Sequence, residues 1–358
     1  MCLTMLEKYP IKPLNQQAMD KAQERLDGLV KPPGSLGELE TIAKRLAGIS
    51  GEVYNDIRKR CVIIMASDNG VVEEGVAAAP QIVTSTQTLN FVKGITGVAV
   101  FAKEFDTDLV VVDVGINGEL EHPMVVNKKI RKSTGNIACE PAMTYDEAIQ
   151  AVLVGVKMAI KAVDDGYKII GVGEMGIGNT TTSSAVLCAL TGLAPQLVTG
   201  RGAGLKEEAY RHKIEVVRTA ICHHKPNQED PIDVLAKVGG FDIAAMAGLF
   251  IGGAHRGVPV VIDGYISMVA ALCASKLNPL VQEYMIASHA SAEPGYSYAA
   301  DALGVTPYLN LNMRLGEGSG CPLMFAIIDA ACVAIGEIAT FEEADIGSEY
   351  LENLGQSD

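Results

Sequence analysis

The chain has 358 residues, 48% of them apolar and 20% charged, which excludes a disordered chain and suits one large or two unequal folded units. Asp and Glu number 43 against 29 Lys and Arg, a formal charge of −14 that argues against a nucleic-acid or anionic-membrane surface. An anionic ligand must then be held by local devices such as backbone N–H groups and helix N-termini. The opening MCLTMLEKYPIKPLNQ carries no apolar h-region, so no signal peptide is expected. The first sixty residues lack a clear strand and look helical. Within them Ser35 and Glu38 form a capping-box pattern before Leu39–Ala47, in the segment LVKPPGSLGELE.

Beyond residue 60 a β-branched run ending in glycine and an acid or amide recurs, each time followed by a helical stretch. The runs are CVIIMASDNG (61–70), DLVVVDVGING (108–118), YKIIGVGEMG (167–176), PQLVTGRGAG (195–204) and VPVVIDGY (258–265). Continuous apolar strands alternating with helices predict an α/β fold, a three-layer Rossmann-like parallel sheet with helices on both faces. Ligands of such sheets bind at the carboxyl ends of strands, which here carry Asp68, Asp113, Glu174 and Asp263. Thr144 and Glu147 form a second capping box, before Ala148–Val163. The apolar stretches Val258–Ala274 and Cys321–Ile338 are interrupted by Asp263 and Asp329 and read as core elements, not membrane spans. Residues 1–60 and 339–358 are expected to form a small helical subdomain, and 61–338 the large α/β catalytic domain. The eight cysteines, from Cys2 to Cys332, are scattered without a C-x-x-C pair, as expected of reduced core residues in a cytoplasmic protein.

YKIIGVGEMGIGNTTTSSAV (167–186) reads as a strand, a glycine turn and the start of a helix. It contains G-x-G-x-x-G at Gly171, Gly173 and Gly176. A dinucleotide site requires an acid about twenty residues on, at the end of the next strand. The next strand is expected at Gln196–Thr199 and runs into Gly200-Arg201-Gly202-Ala203-Gly204, with no acid. The same turn read as a triphosphate loop has Asn179 where the lysine belongs. What remains is a cradle of N–H groups and the hydroxyls of Thr180, Thr181 and Thr182, suited to a single phosphate, or else glycines that only let strand and helix pack closely.

NLNMRLGEGSGCPL (310–323) places Glu317 between glycines before an apolar helix. Together with LVKPPGSLGELE, GVGEMGIGNTT, KVGGFDIAAMAG and SHASAEPG, the turn MRLGEGSG resembles the signature segments of the nicotinate-nucleotide:dimethylbenzimidazole phosphoribosyltransferase (CobT) family, in order from about Gln17 to about Ile338. The resemblance implies a cobalamin-biosynthesis enzyme. It would move phosphoribose from nicotinate mononucleotide to 5,6-dimethylbenzimidazole, with inversion at C1′, as a homodimer with shared active sites and with no metal or cofactor.

By that resemblance Glu317 is the general base, a carboxylate within reach of the proton that the attacking benzimidazole loses. Gly176, Ile177, Gly178, Asn179 and Thr180, with Gly202, Ala203, Gly204 and Lys213, hold the nucleotide phosphate. Glu174, Asp263, Gly264 and Ser291 lie around the ribose and nicotinate. Ala79, Pro80, Gln87, Met175 and Leu315 form the base pocket. Two positions depart from some relatives, which have Asp-His-Gly for Asp68-Asn69-Gly70 and serine for Ala79. The accepted base is therefore less defined than the reaction.

Cys222-His223-His224 precedes a charged turn and is expected to be a solvated loop, not a metal site. His289 is expected to hold loop backbone near the substrate, and Met246–Phe250 to be core. An NAD-dependent oxidoreductase and a non-catalytic nucleotide carrier remain as alternatives from other classes.

Overall fold

The computed structural model describes residues 6–347, and the chain divides into two compact units. The larger takes the chain up to Lys12 together with Lys59–Met324; the smaller takes Pro13–Arg58 and the chain from Phe325 on. The second boundary thus falls inside a helix and not at 338/339, where the apolar run ends. Cys2 and residues 348–358 lie outside the described residues.

In the smaller unit α1 (Gln16–Asp27) starts at Asn15, whose side chain accepts from the Ala18 amide at 3.0 Å. Helix α2 (Glu38–Ser50) starts behind Gly37, at φ +54°, with no side-chain cap. The box expected of Ser35 and Glu38 does not form, because tight turns through Gly34 and Gly37 move the helix start past Ser35. Glu40 instead accepts from the Leu36 amide at 3.0 Å and pairs with Lys31 at 2.8 Å. After residue 337 the described chain makes a bridge from Thr340 to Leu29 and then turns, so this stretch is not helical as expected.

The larger unit is built on a six-stranded, wholly parallel sheet in the order β3-β2-β1-β4-β5-β6. The strands are β1 (Arg60–Ser67), β2 (Asp108–Gly115), β3 (Val125–Asn127), β4 (Ile169–Met175), β5 (Val260–Ile262) and β6 (Met285–Ala287). Helices α3 (Ile82–Lys93) and α4 (Gly97–Glu104) connect β1 to β2, and α5 (Tyr145–Asp164) leads to β4. Between β4 and β5 come α6 (Asn179–Thr191), α7 (Glu207–His224), α8 (Pro231–Val238) and α9 (Phe241–His255). Then α10 (Tyr265–Leu277) joins β5 to β6, and α11 (Gly295–Leu303) and α12 (Gly320–Glu337) follow. β1 and β4 are buried at every residue, as expected of largely apolar strands covered on both faces. The Thr144–Glu147 capping box forms at the start of α5.

Pro195–Val198 is a single helical turn with proline at its first position, not a strand. The strand that follows β4 is therefore β5, and the acid just after it, Asp263, lies 87 residues beyond Gly176 instead of about twenty. The three-residue strands β3 and β6 extend the two edges. Met246–Phe250 is buried throughout α9. Helix α12 has a mean hydropathy of 1.6 over 18 residues, enough by length and composition to cross a membrane. Its buried positions Cys321, Met324, Phe325, Ile328, Ala331 and Ile335 follow a helical stripe, and Asp329 and Glu337 lie on its other faces.

The connections leaving β1 and β4 run in opposite directions across the sheet. The carboxyl ends of these two neighbouring strands therefore flank a topological switch point, where open α/β sheets form their binding crevice.

Candidate functional site

A cavity of about 620 Å³ opens at the carboxyl ends of β4 and β5, within the larger unit. It falls in the range of small-molecule sites. Its wall is formed by the turn after β4, the loop after the short helical turn at Pro195–Val198, Lys213 of α7, the start of α10, the loop before α11, residues between 76 and 87 and the Glu317 loop.

The glycines of β4 have a different task from the one their spacing suggested. Gly171 and Gly173 lie inside the strand, not in a turn. A Cβ on Gly171 would lie 2.6 Å from Cys321 Cβ. One on Gly173 would overlap the Glu317 carbonyl oxygen and lie 3.1 Å from its carbon. These two glycines let the Glu317 loop and the first turn of α12 lie flat on the strand. Gly178, at φ +96°, is the turn glycine proper and the N-cap of α6.

Glu317 is itself in the left-handed region, at φ +66°, between Gly316 and Gly318, also at positive φ. A non-glycine residue held there is uncommon and needs firm support. That support comes from two carboxylates. Glu174 Oε1 accepts from the Glu317 amide at 3.1 Å, while Asp263 accepts from the amides of Gly318 at 3.0 Å and Gly320 at 2.7 Å. The Glu317 side chain is 6% exposed. Its Oε1 accepts from Gln87 Nε2 at 2.8 Å and its Oε2 from the Val98 amide, in the first turn of α4, at 3.2 Å. The carboxylate thus sits against a helix N-terminus and a side-chain amide.

Of the four acids at strand ends, Glu174 and Asp263 line the cavity. Asp113 pairs with Lys129 at 3.3 Å and caps its own turn through Gly115 and Ile116. Asp68 accepts from the Asn117 amide at 2.7 Å and from the Thr84 hydroxyl, and burial raises its pKa. Asn69 accepts from the Thr182 hydroxyl at 3.2 Å.

One buried acid was missed. Asp242, in the first turn of α9, accepts from Asn179 Nδ2 at 3.1 Å, and the same amide also donates to Glu174 Oε2. Burial raises the pKa of Glu174 and pushes Asp242 and Asp263 up to about 7, in the last case despite its two amide donors. Glu174 and Asp263 line the cavity, whereas Asp242 does not and reaches it only through Asn179.

The phosphate cradle is smaller than its sequence promised. The Ile177 amide donates to Thr84 Oγ1 and the Asn179 amide to Gly176 O, both at 3.1 Å. The amides of Gly178 and Thr180 make no hydrogen bond to another described residue. Thr180 alone of the three threonines lines the cavity, and its Oγ1 accepts from Lys213 Nζ at 2.8 Å. Lys213 is 0% exposed, and burial pushes its pKa down to about 8. Gly202 and Ala203 face the same space, with Arg314 donating to Gly202 O at 3.2 Å.

Met175, Gly176, Ile177, Gly178, Gly264 and Ser291 also line the cavity, as do Ala79, Gln87 and Leu315 at its other end. Pro80 and Gly204, both solvent-exposed, do not. The cavity further holds Glu293 and Arg314, which stand in SHASAEPG and MRLGEGSG without an assigned role, just as Asp242 stands in KVGGFDIAAMAG. His289 is buried, 3.8 Å from Asp263 Oδ1 and 3.2 Å from Ser288 Oγ, and desolvation lowers its pKa. Cys222-His223-His224 ends α7 and is not a loop; His224 Nε2 lies 2.9 Å from Ile137 O.

A parallel sheet with a cavity and a held carboxylate at its switch point has the build of an α/β enzyme acting on a small molecule. A family profile described as phosphoribosyltransferase matches residues 11–346. A nicotinate-nucleotide–dimethylbenzimidazole phosphoribosyltransferase of Clostridium perfringens is 54% identical over 96% of this chain and 95% of its own length. That of Clostridium acetobutylicum is 51% identical over 94% and 96%. The crystal structure of the Thermus thermophilus enzyme of the same name is 39% identical, with a TM-score of 0.88 over 93% of this chain and 99% of that one. The chain belongs to the nicotinate-nucleotide–dimethylbenzimidazole phosphoribosyltransferase family and is a pentosyl-transferring enzyme.

Proposed function

We propose that the enzyme transfers phosphoribose from nicotinate mononucleotide to 5,6-dimethylbenzimidazole or a related base. The products are α-ribazole 5′-phosphate and nicotinate, as needed in cobalamin assembly, and Glu317 is the general base. The observation that carries this reading is the Glu317 carboxylate. It is fixed by its backbone to the strand and by its side chain to Gln87 and Val98, and it faces a cavity with a lysine-bearing phosphate turn at the other end.

The phosphate sits on Gly178, Thr180, Gly202 and Lys213, which leaves the ribose over Glu174 and Ser291. Nicotinate departs from C1′ as a neutral ring, so it needs no proton from the enzyme. One ring nitrogen of the incoming base attacks C1′ from the opposite face, which inverts that centre. The other nitrogen gives its proton to the Glu317 carboxylate. Positive charge on the ribosyl group is offset by Glu174 and, through Asn179, by Asp242. Ala79, Gln87, Met175 and Leu315 form the wall against which the base stacks. Asp263 lies beside the ribose as well, since each of its oxygens accepts only one loop amide and keeps a lone pair for a hydroxyl.

Purified protein mixed with nicotinate mononucleotide and a panel of benzimidazoles, purines and phenols should give ribosylated products identifiable by mass. No product with any base would sink the transferase reading. Glu317→Gln should retain nucleotide binding and lose turnover by about a hundredfold or more. Wild-type turnover in this variant would remove Glu317 as the base.

A further inference from the structure

Glu293 ends the SHASAEPG loop just before α11, and its carboxyl faces the phosphate end of the cavity. It is 9% exposed, and its Oε2 has no hydrogen-bond partner among the described residues. The carboxyl lies against the glycine turn: a Cβ on Gly200 would overlap Glu293 Oε2. On the other side of the same turn stands Lys213, whose Nζ would lie 3.6 Å from a Cβ on Gly202. No ion pair joins the two among the described residues, although each is buried and each feels the other's charge. Arg314 also faces Glu293, and a Gly202 backbone donor reaches it. Tyr265, packed beneath Gly295, feels its charge. Arg201, the remaining cation of this wall, is engaged by Glu207. A buried acid and a buried base therefore both line the glycine-turn end of one cavity, with no ion pair between them among the described residues. A phosphate held at that end would meet the Lys213 ammonium and the Glu293 carboxylate together.

Two anions side by side repel each other, whereas a carboxylic acid there becomes a donor to a phosphate oxygen. We propose that Glu293 takes up a proton from solvent when the nucleotide binds and donates a hydrogen bond to its phosphate, so that phosphate capture is coupled to protonation of this residue. The proposal rests on the transferase reading for the identity of the ligand. Burial already raises the pKa of Glu293, and a second anion raises it further, while Lys213 and Arg314 oppose the shift. The unliganded pocket is thereby kept from a net excess of positive charge, at the cost of a proton each time it fills.

The test is calorimetric titration of nicotinate mononucleotide into wild type and Glu293→Gln at about pH 8, in buffers of different ionisation enthalpy, which counts protons bound. The wild type should take up about one proton more per nucleotide than the variant, and its nucleotide affinity should fall more steeply with rising pH. Nicotinate riboside, which lacks the phosphate, should show no such difference between the two proteins. Equal proton uptake by both proteins, or the same difference with the riboside, would overturn the coupling while leaving the transferase reading intact. Failure of the wild type to bind the nucleotide at all would instead strike that reading. The amide is isosteric, and coincident thermal unfolding of both proteins checks that the fold is kept.

Discussion

Gly173→Ala adds one methyl group at the closest approach of strand β4 to the Glu317 loop. Its carbon would lie 3.1 Å from the Glu317 carbonyl carbon and 3.0 Å from Ile64 Cγ1. Carbon atoms in contact ordinarily lie about 3.5–4.0 Å apart, so the loop must retreat by roughly 0.4–0.9 Å. Overpacking of this kind costs about 1–3 kcal/mol. A shift approaching 1 Å at a group that must meet a substrate proton costs up to about a hundredfold in rate. We expect kcat to fall between roughly tenfold and a hundredfold, with a smaller change in the nucleotide KM, because the phosphate turn lies beyond the displaced loop. Steady-state kinetics with both substrates, set beside thermal unfolding, would resolve the two effects. Gly336→Ala is the control: nothing lies within 4 Å of its added carbon, and alanine favours a helix. If Gly173→Ala kept kcat within about twofold of wild type, flat docking on the strand would not be what places the Glu317 carboxylate, and that part of the reasoning would fail.

Asp242 is raised from 3.8 to about 7, so between these values the native state holds a proton that the unfolded state has lost. Its stabilising effect is full below about pH 4 and lost as pH rises through about 7. A rise of that size corresponds to at most about 4 kcal/mol, and Asp242→Asn should raise stability at about pH 8 by roughly 1–3 kcal/mol while flattening the dependence between about pH 4 and 7. Urea midpoints at both ends of that range read this directly, and an unchanged slope would refute it. Lys213 must be an ammonium to hold a phosphate, so the nucleotide KM should climb as pH passes about 8, where burial has moved this group. A KM flat to about pH 10, the range of an ordinary lysine, would show that the ammonium is not the phosphate's partner.

The three long strands were legible because β1, β2 and β4, seven or eight residues long, each hold a cluster of Val and Ile. β3 and β6 were not, since three residues carry too little pattern to stand out. PQLVTG looked like a strand for its Val and Thr, although Pro195 opening a helical turn was the better signal. The G-x-G-x-x-G spacing drew attention to the right strand for the wrong reason. One-dimensional spacing cannot distinguish a glycine that bends the chain from one that admits a neighbour. Glu317 stood out between its glycines, but its surroundings did not: the donors Gln87 and Val98 come from helices 230 and 219 residues away in the chain. Asp242 and Glu293 lay in segments whose likeness was noted. Nothing in the order of residues shows that an acid in a first helical turn points inward.

The pocket's parts are mounted on different supports. The groups we assign to the nucleotide are fixed to strand ends and to glycines that leave no room for another side chain. The opposite wall, Ala79, Val83 and Leu315, comes from a loop, a helix face and a loop tip, with Leu315 56% exposed. A gene drifting under pressure to accept a different aromatic ring can therefore rewrite that wall by single substitutions, leaving the sugar machinery untouched. Gln87 is the exception, since it both walls the pocket and bonds Glu317. Among these positions it is where a change of appetite would also be felt as a change of speed.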